Sequence, residues 1–324
     1  MNKNLLRGAV RAALAIALGS AALSLPAVAA TTLTVGKAAP NADPIIPVDV
    51  GYQAGIFKKH GLDLKIVDFL GGSKMAQAMA AGSIDIGDGA GTEMALVAKG
   101  VPMLAICEST ATFQFLSIGV PSDSQAKSLK DLKGKKIGIS SAGSLTDWLS
   151  RELVRKEGWQ PDDVTTVTIG NGATGVIAAF RQHLVDADIG ATSLFLDMQE
   201  KQSGHRLALV SDYEGPAGSG ALYASKHLID TDPDAIRAFV AGWIETIDYI
   251  RAHKAETVKV TSSVTGFPES VMSKEYDLTL GMYTKDCRFD AESIATLKRT
   301  FADLKLVDTP PDMATLYTEK YLPK

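Results

Sequence analysis

Cysteine is nearly absent: the 324 residues hold two, Cys107 and Cys287. No Cys-x-x-Cys pair exists, so dithiol redox catalysis has no support. Cys107 lies in the apolar run 103–107, which reads as a buried strand, and Cys287 follows Thr284-Lys-Asp286 in a polar stretch. Two thiols can pair in an oxidising compartment, but the expectation here is two unpaired thiols. The five histidines (His60, His183, His205, His227, His253) are scattered, and none has a metal-ligand spacing such as His-Glu-x-x-His. There is no Gly-x-Ser-x-Gly elbow. Ser140, Ser141 and Ser144 lack a base nearby in sequence, and Asp43 and Asp147 read as solvated or capping carboxylates before they read as a catalytic pair. Gly170-x-Gly172-x-x-Gly175 matches a dinucleotide fingerprint in form. The acids Asp186 and Asp188, however, stand at the entry to the next strand, where a ribose-binding acid belongs at its exit. No catalytic residue, metal or cofactor is therefore expected, and the chain is not expected to be an enzyme.

Beyond residue 30 no apolar run approaches the length of a membrane span. The first thirty residues differ from the rest. Lys3, Arg7 and Arg11 precede an apolar stretch from Ala12 to Leu25, and Ala27-Val-Ala-Ala30 follows. That order is the grammar of a secretory signal peptide cleaved after Ala29 or Ala30. No cysteine near that point offers a lipid anchor, and no Arg-Arg pair is present. The expected location is the periplasm of a two-membrane bacterium. Removing the segment leaves 30 basic residues against 37 acidic, a net charge of −7. An acidic chain without a basic run argues against nucleic acid and anionic membrane as partners.

What is present is alternation. Short β-rich runs at 33–35, 64–67, 84–86, 103–107, 136–139, 164–169, 188–190 and 206–210 are separated by amphipathic patterns at 74–81, 92–99, 145–156, 174–183 and 193–202. This predicts an α/β fold of mainly parallel sheets flanked by helices. After Pro233 the pattern turns helical, at 234–253, 270–283 and 291–304.

The chain also repeats itself. Lys58-Lys-His-Gly61-Leu62 returns as Arg155-Lys-Glu-Gly158-Trp159. Phe69-Leu-Gly71-Gly72-Ser73 is matched by Ile169-Gly170-Asn-Gly172-Ala173, and Ser83-Ile-Asp85-Ile-Gly87 by Val185-Asp186-Ala-Asp188-Ile-Gly190. The offset stays near 100 residues, which implies two lobes built on one plan. Crossings are expected at 114–121, followed by the polar linker 122–130, and at the Gly-rich 215–220. Residues 119–219 would then form lobe 2, inserted into a lobe 1 made of 31–118 and 220–324. Two short crossings permit hinge closure.

Ligands of such sheets bind beyond the carboxyl ends of the strands, where loops feed helix N-termini. The expected ligand-binding residues in lobe 1 are Lys37, Asp43, Gly72, Ser73, Thr92, Thr112 and Phe113. In lobe 2 they are Ser144, Thr146, Trp148, Asn171, Thr174, Thr192 and Tyr213. Ser73, Thr92, Ser144 and Thr174 can equally be plain helix caps. Trp148, Phe113 and Tyr213 can face cleft or core, whereas Phe195 reads as core. Lys37, directly after the first strand, is the one cation placed near the mouth; it can pair with an anionic ligand or face solvent.

Four motifs resemble the substrate-binding proteins of nitrate/sulfonate/taurine-type ABC importers, a group that includes thiamine-pyrimidine-precursor binders. They are Gly51-Tyr-Gln-Ala-Gly55-Ile-Phe57-Lys-Lys-His-Gly61-Leu62, Ala-Gly82-Ser-Ile-Asp85-Ile-Gly87, Ala98-Lys-Gly100-Val-Pro102, and Leu129-Lys-Asp131-Leu132-Lys-Gly134-Lys-Lys-Ile-Gly138. The resemblance spans nearly everything after residue 30, and its motifs are mostly scaffold. It implies a two-lobed type II periplasmic-binding fold, a small-molecule ligand between the lobes, and a membrane permease as partner to a monomeric receptor. The related eukaryotic pyrimidine-forming enzymes carry a Cys-rich motif that is missing here. The ligand expected is a small organic anion, a sulfonate or an aromatic carboxylate, with a neutral pyrimidine-like compound as alternative. An exported enzyme on the same scaffold and a sensor subunit stay open.

Overall fold

The computed structural model describes residues 30–39, 42–170 and 172–324. The signal-peptide expectation, apart from Ala30, lies outside the described residues, as does the site residue Asn171. In the first lobe the chain runs through β1 (Thr31–Lys37), a 3-10 turn (Asp43–Ile45), α1 (Pro47–Gln53), α2 (Ile56–Lys59), β2 (Leu62–Asp68), α3 (Gly72–Ala80) and β3 (Ile86–Ala90). A second 3-10 turn (Gly91–Glu93), α4 (Met94–Ala98) and β4 (Met103–Thr110) follow. The second lobe holds β5 (Leu116–Pro121), β6 (Lys136–Ile139), α5 (Leu145–Lys156), β7 (Thr165–Thr168), α6 (Ala173–Arg181), β8 (Ala187–Ala191), α7 (Thr192–Glu200) and β9 (Gly204–Leu209). The chain then returns through β10 (Gly220–Ser225) into α8 (Lys226–Thr231), α9 (Pro233–Ala252), α10 (Lys254–Thr265), α11 (Glu269–Thr279) and α12 (Ala291–Asp303).

Two five-stranded sheets result, ordered β2-β1-β3-β10-β4 and β7-β6-β8-β5-β9. In each, the fourth strand is the one that carries the chain between lobes, and it runs antiparallel to both its neighbours. The other pairings, β1 with β2 and β3, and β6 with β7 and β8, are parallel. The two-lobed α/β expectation therefore holds; the first crossing is β5, and the Gly-rich 215–220 leads into β10. β5 lies wholly in the second sheet, so the position 118/119 falls inside it.

The duplication is real but its register differs from the one read in the sequence. Asp85 Oδ2 accepts the Thr34 amide at 2.8 Å, and its own N–H donates to the Thr34 carbonyl at 2.9 Å. Asp186 treats Lys136 identically, at 2.9 and 2.8 Å. Asp85 is thus the counterpart of Asp186, not of Asp188. The repeated Asp-Ile-Gly letters sit two residues apart in the two strands.

Both faces of the first sheet are covered. β1, β2 and α9 close over Leu33, Val35, Phe239 and Trp243; α3, α4 and α12 close over Met75, Met79, Met94, Leu297 and Phe301. Trp148, Leu149 and Leu153 of α5 cover one face of the second sheet, and Val176, Phe180 and Phe195 form a further cluster around α6 and α7. The helical region after Pro233 also contains, between α9 and α11, a helix absent from the sequence reading, α10, whose Thr- and Val-rich sequence buries only Thr257 and Val258.

Cys107 and Cys287 are joined, with Cα atoms 4.4 Å apart, which corrects the expectation of two free thiols. The reason is tertiary. The segment before α12 is laid along β4, with Glu108 N–H donating to the Cys287 carbonyl at 3.1 Å and Thr284 N–H to the Ser109 carbonyl at 3.1 Å. The bond fastens that segment to the edge of the first sheet.

Candidate functional site

Helix starts and buried carboxyls gather at the carboxyl ends of the parallel strands. In the first lobe α3 opens at Gly72 after Gly71, and the turn Gly91–Glu93 opens after Ala90; neither has a side-chain cap. In the second lobe α6 opens after Gly172, again with no side-chain cap among the described residues. Ser73, Thr92 and Thr174 each sit one residue inside their helix or turn, so they do not cap it. Of the four hydroxyls read as possible caps, Ser144 alone takes that role, accepting the Asp147 amide at 3.3 Å. Ser140, Ser144 and Thr146 form a hydroxyl triangle with edges of 2.9, 3.0 and 3.1 Å. Backbone amides left uncapped at helix starts favour an anion or strong acceptor.

Glu93 is the residue that sequence reasoning missed. Its carboxyl fills the space over two glycines. A Cβ on Gly72 would lie 1.6 Å from Oε1, and one on Gly89 2.0 Å from Oε2. Oε2 is buried without a hydrogen-bond partner. Burial lifts this carboxyl to about 8, so it is protonated at neutral pH. Asp88, on the adjoining strand β3, is 1% exposed with neither oxygen partnered, and burial again raises it, opposed by the nearby Lys37 charge. In the second lobe Asp188 is buried and lifted to about 7 by the same cause. The two glycines flanking Glu93 were the available signal, because a loop of small residues makes room for a neighbour's side chain.

Lys37 does not stand at the mouth as a solvent-facing cation. Strand register sets it opposite Asp68 on β2 and Asp88 on β3. Asp49 of α1 meets its Nζ at 2.7 Å and Asp68 at 3.5 Å, and the side chain is 2% exposed. Its charge is matched by internal carboxylates. Asp43 is buried too, and it lines a small cavity of about 30 Å³ among the C-terminal helices together with Glu275 and Tyr283.

The aromatic residues lie in the core. Trp148 is 1% exposed, donates its indole N–H to Asp303 at 3.1 Å, and has the Arg299 guanidinium 6.0 Å from its ring. Phe113 packs 6.5 Å from Trp148, and Tyr213 donates to the Leu149 carbonyl at 3.2 Å. Phe195 is core, as read. Thr192 is fully buried and donates to the Gln114 carbonyl at 3.0 Å, with Ser117 Oγ at 2.7 Å. Thr112 keeps a buried, unpartnered hydroxyl, while its carbonyl accepts from Ser219 at 2.7 Å. Of the expected set, the structure brings Gly72, Ser73 and Thr92 together around Glu93. Ser144 and Thr146 meet in the hydroxyl triangle, and Thr174 lies exposed in the first turn of α6.

A family model described as NMT1/THI5 like matches residues 44–257. A provisionally named binding protein of Brucella abortus is 30% identical over 233 residues, covering 67% of this chain and 71% of that one. A 4-amino-5-hydroxymethyl-2-methylpyrimidine phosphate synthase of Saccharomyces cerevisiae is 24% identical over 300 residues, 86% of this chain and 84% of the synthase. Among solved structures, the periplasmic aliphatic sulphonate binding protein SsuA of Escherichia coli superposes with a TM-score of 0.73 at 19% identity, covering 89% of this chain and 92% of that one. That likeness carries the periplasmic binding protein fold.

Proposed function

The chain belongs to the NMT1/THI5-like family, and from that premise we propose that it is an exported solute-binding protein of an ABC importer. It captures a small organic anion, a sulfonate or an aromatic carboxylate, between its lobes and presents the closed form to a membrane permease. The division proposed is 31–118 with 220–324 against 119–219, with the first boundary moved ahead of Leu116 so that β5 stays whole in the second lobe. The observation that carries the reading is the set of helix starts without a side-chain cap, at Gly72 and Gly91 in one lobe and at Ala173 in the other. Amides at such ends bind acceptor atoms, and binding to both lobes favours the closed state. The neutral Glu93 carboxyl beside Gly72 adds a donor where a carboxylate would repel an anion. The proposed contact residues are Gly72, Ser73, Thr92 and Glu93 facing Ser144, Thr146 and Thr174.

A pyrimidine-like ligand is the second reading. It is favoured by the kinship with the yeast synthase and by Glu93, which can accept from a ring amino group as readily as it can donate. An exported enzyme would be distinguished by turnover. Native mass spectrometry of protein purified from a periplasmic extract tests the proposal. One bound small molecule per chain that is released intact and carries an acidic group supports it. A bound aminopyrimidine, or a compound converted during incubation, replaces it.

A further inference from the structure

Glu275 of α11 is 1% exposed, and neither of its carboxyl oxygens makes a well-formed hydrogen bond. It lies against two groups from distant parts of the chain. One is the carboxyl of Asp43 in the first lobe; the other is the amide and hydroxyl of Ser193, in the first turn of α7 in the second lobe. α7 has no side-chain cap of its own, and Glu275 faces its first turn from another helix. Around this contact Leu196 of α7 packs on Val271 and Met272 of α11 and Val258 of α10. The seam between the lobes is closed here by these apolar contacts, by Glu275 against Ser193, and by Glu200 of α7, which accepts from Ser270 and Lys274 of α11 at 2.9 Å each.

Among the described residues, no basic side chain lines the cavity that Asp43 and Glu275 share. The charged groups on the surrounding elements are engaged elsewhere: Asp49 of α1 with Lys37, Asp197 of α7 with Lys201, Lys274 of α11 with Glu200 of α7, and Lys254 at the start of α10 with Asp277 of α11. From α9, Arg251 donates to the Tyr283 carbonyl. Glu256 and Lys259 of α10 are exposed. The Tyr283 hydroxyl donates to the Asp43 carbonyl oxygen at 2.8 Å, and burial with the nearby Asp43, Glu275 and Asp88 charges keeps that phenol neutral. One negative charge on the pair is accommodated by the N-terminus of α7. A second has no counter-charge.

We propose that Asp43 and Glu275 share one proton and, through Ser193, use it to hold the start of α7 in the second lobe against α11, forming a proton-dependent tie between the lobes. Burial raises both carboxyls, Asp43 to about 6 and Glu275 further. The folded chain therefore retains protons that the unfolded chain has released, and the tie weakens as pH rises from about 4 through 6 and beyond.

The test needs no ligand and is independent of the transport reading. Urea unfolding and amide hydrogen exchange are measured between pH 5 and 8 on the full chain and on Glu275→Gln, whose amide keeps the shape and cannot ionise. Asp43→Asn serves as the second variant. Relative to either variant, the unfolding constant of the unmodified protein is expected to rise by up to about tenfold per pH unit, the linkage of one proton. Protection factors at residues 192–196 should fall with pH in the unmodified protein and stay level in Glu275→Gln. Parallel pH slopes and equal protection would overturn the proposal. So would stabilisation of the unmodified protein, but not of Glu275→Gln, by millimolar calcium chloride at pH 8, because a cation would then be the neutralising group.

Discussion

The Glu93 carboxyl and Gly72 occupy one space: a methyl group on Gly72 would lie 1.6 Å from Oε1. The start of α3 can approach the 91–93 turn only because residue 72 has no side chain, and the approach buries a carboxyl that becomes neutral. This one contact links the backbone geometry of the mouth to its charge.

Gly72→Ala should therefore displace Glu93 and destabilise the fold by about 1–3 kcal/mol, the usual penalty of forced overpacking. Pairing it with Glu93→Ala removes the clash, so the double variant should recover most of the loss. Urea denaturation of both single variants and the double variant measures the coupling.

Anion affinity should fall as pH rises through about 8, where Glu93 ionises beside the bound charge. Stability should fall as well. Between the ordinary glutamate value near 4.5 and about 8, the folded chain keeps a proton that the unfolded chain has lost, and the contribution levels off above that. Glu93→Gln should flatten both dependences, as read by titration calorimetry and by chemical unfolding between pH 5 and 9.

Reduction of the Cys107–Cys287 bond, or the Cys107→Ala/Cys287→Ala double variant, should cost about 2–5 kcal/mol, since the bond closes a long loop. Thermal unfolding with and without reductant measures this, and the double variant should be insensitive to reductant.

Arg299 of α12 reaches Glu214 at 3.2 Å and Glu152 at 3.4 Å, both in the second lobe and both buried. Arg299→Ala leaves Glu214 with Lys156 at 3.7 Å as its remaining cation. The guanidinium is 41% exposed, so solvent screens part of the effect, and a loss of about 1–2 kcal/mol is expected. Trp148, beside Arg299 and bonded to Asp303, should report it as a shift in fluorescence.

The sheets were legible because their strands are short, apolar and bounded by glycine; the equivalence of Asp85 and Asp186 was not, because each bonds a strand residue 51 and 50 positions away. α10 was not, since its Thr- and Val-rich stretch has little helical preference and is held by packing against its neighbours. At the mouth, the glycine loops could be placed but their occupant could not. Glu93 reads as an ordinary acid after Thr92 until Gly72 and Gly89 are folded over it. Lys37 read as the mouth's cation because α1 and strand register alone bring Asp49 and Asp68 to it and set Asp88 opposite it. The Cys107–Cys287 pair and the Asp43–Glu275 contact join positions 180 and 232 residues apart. No local pattern encodes such distances.

The most direct test is thermal unfolding at pH 7 against alkanesulfonates, aromatic carboxylates and aminopyrimidines, with bound compound recovered afterwards. Capture of an anion predicts a saturable rise in Tm with one class of acid, weakened in Glu93→Ala, and recovery of the compound unchanged. A rise with aminopyrimidines alone, or recovery of a converted product, would contradict it.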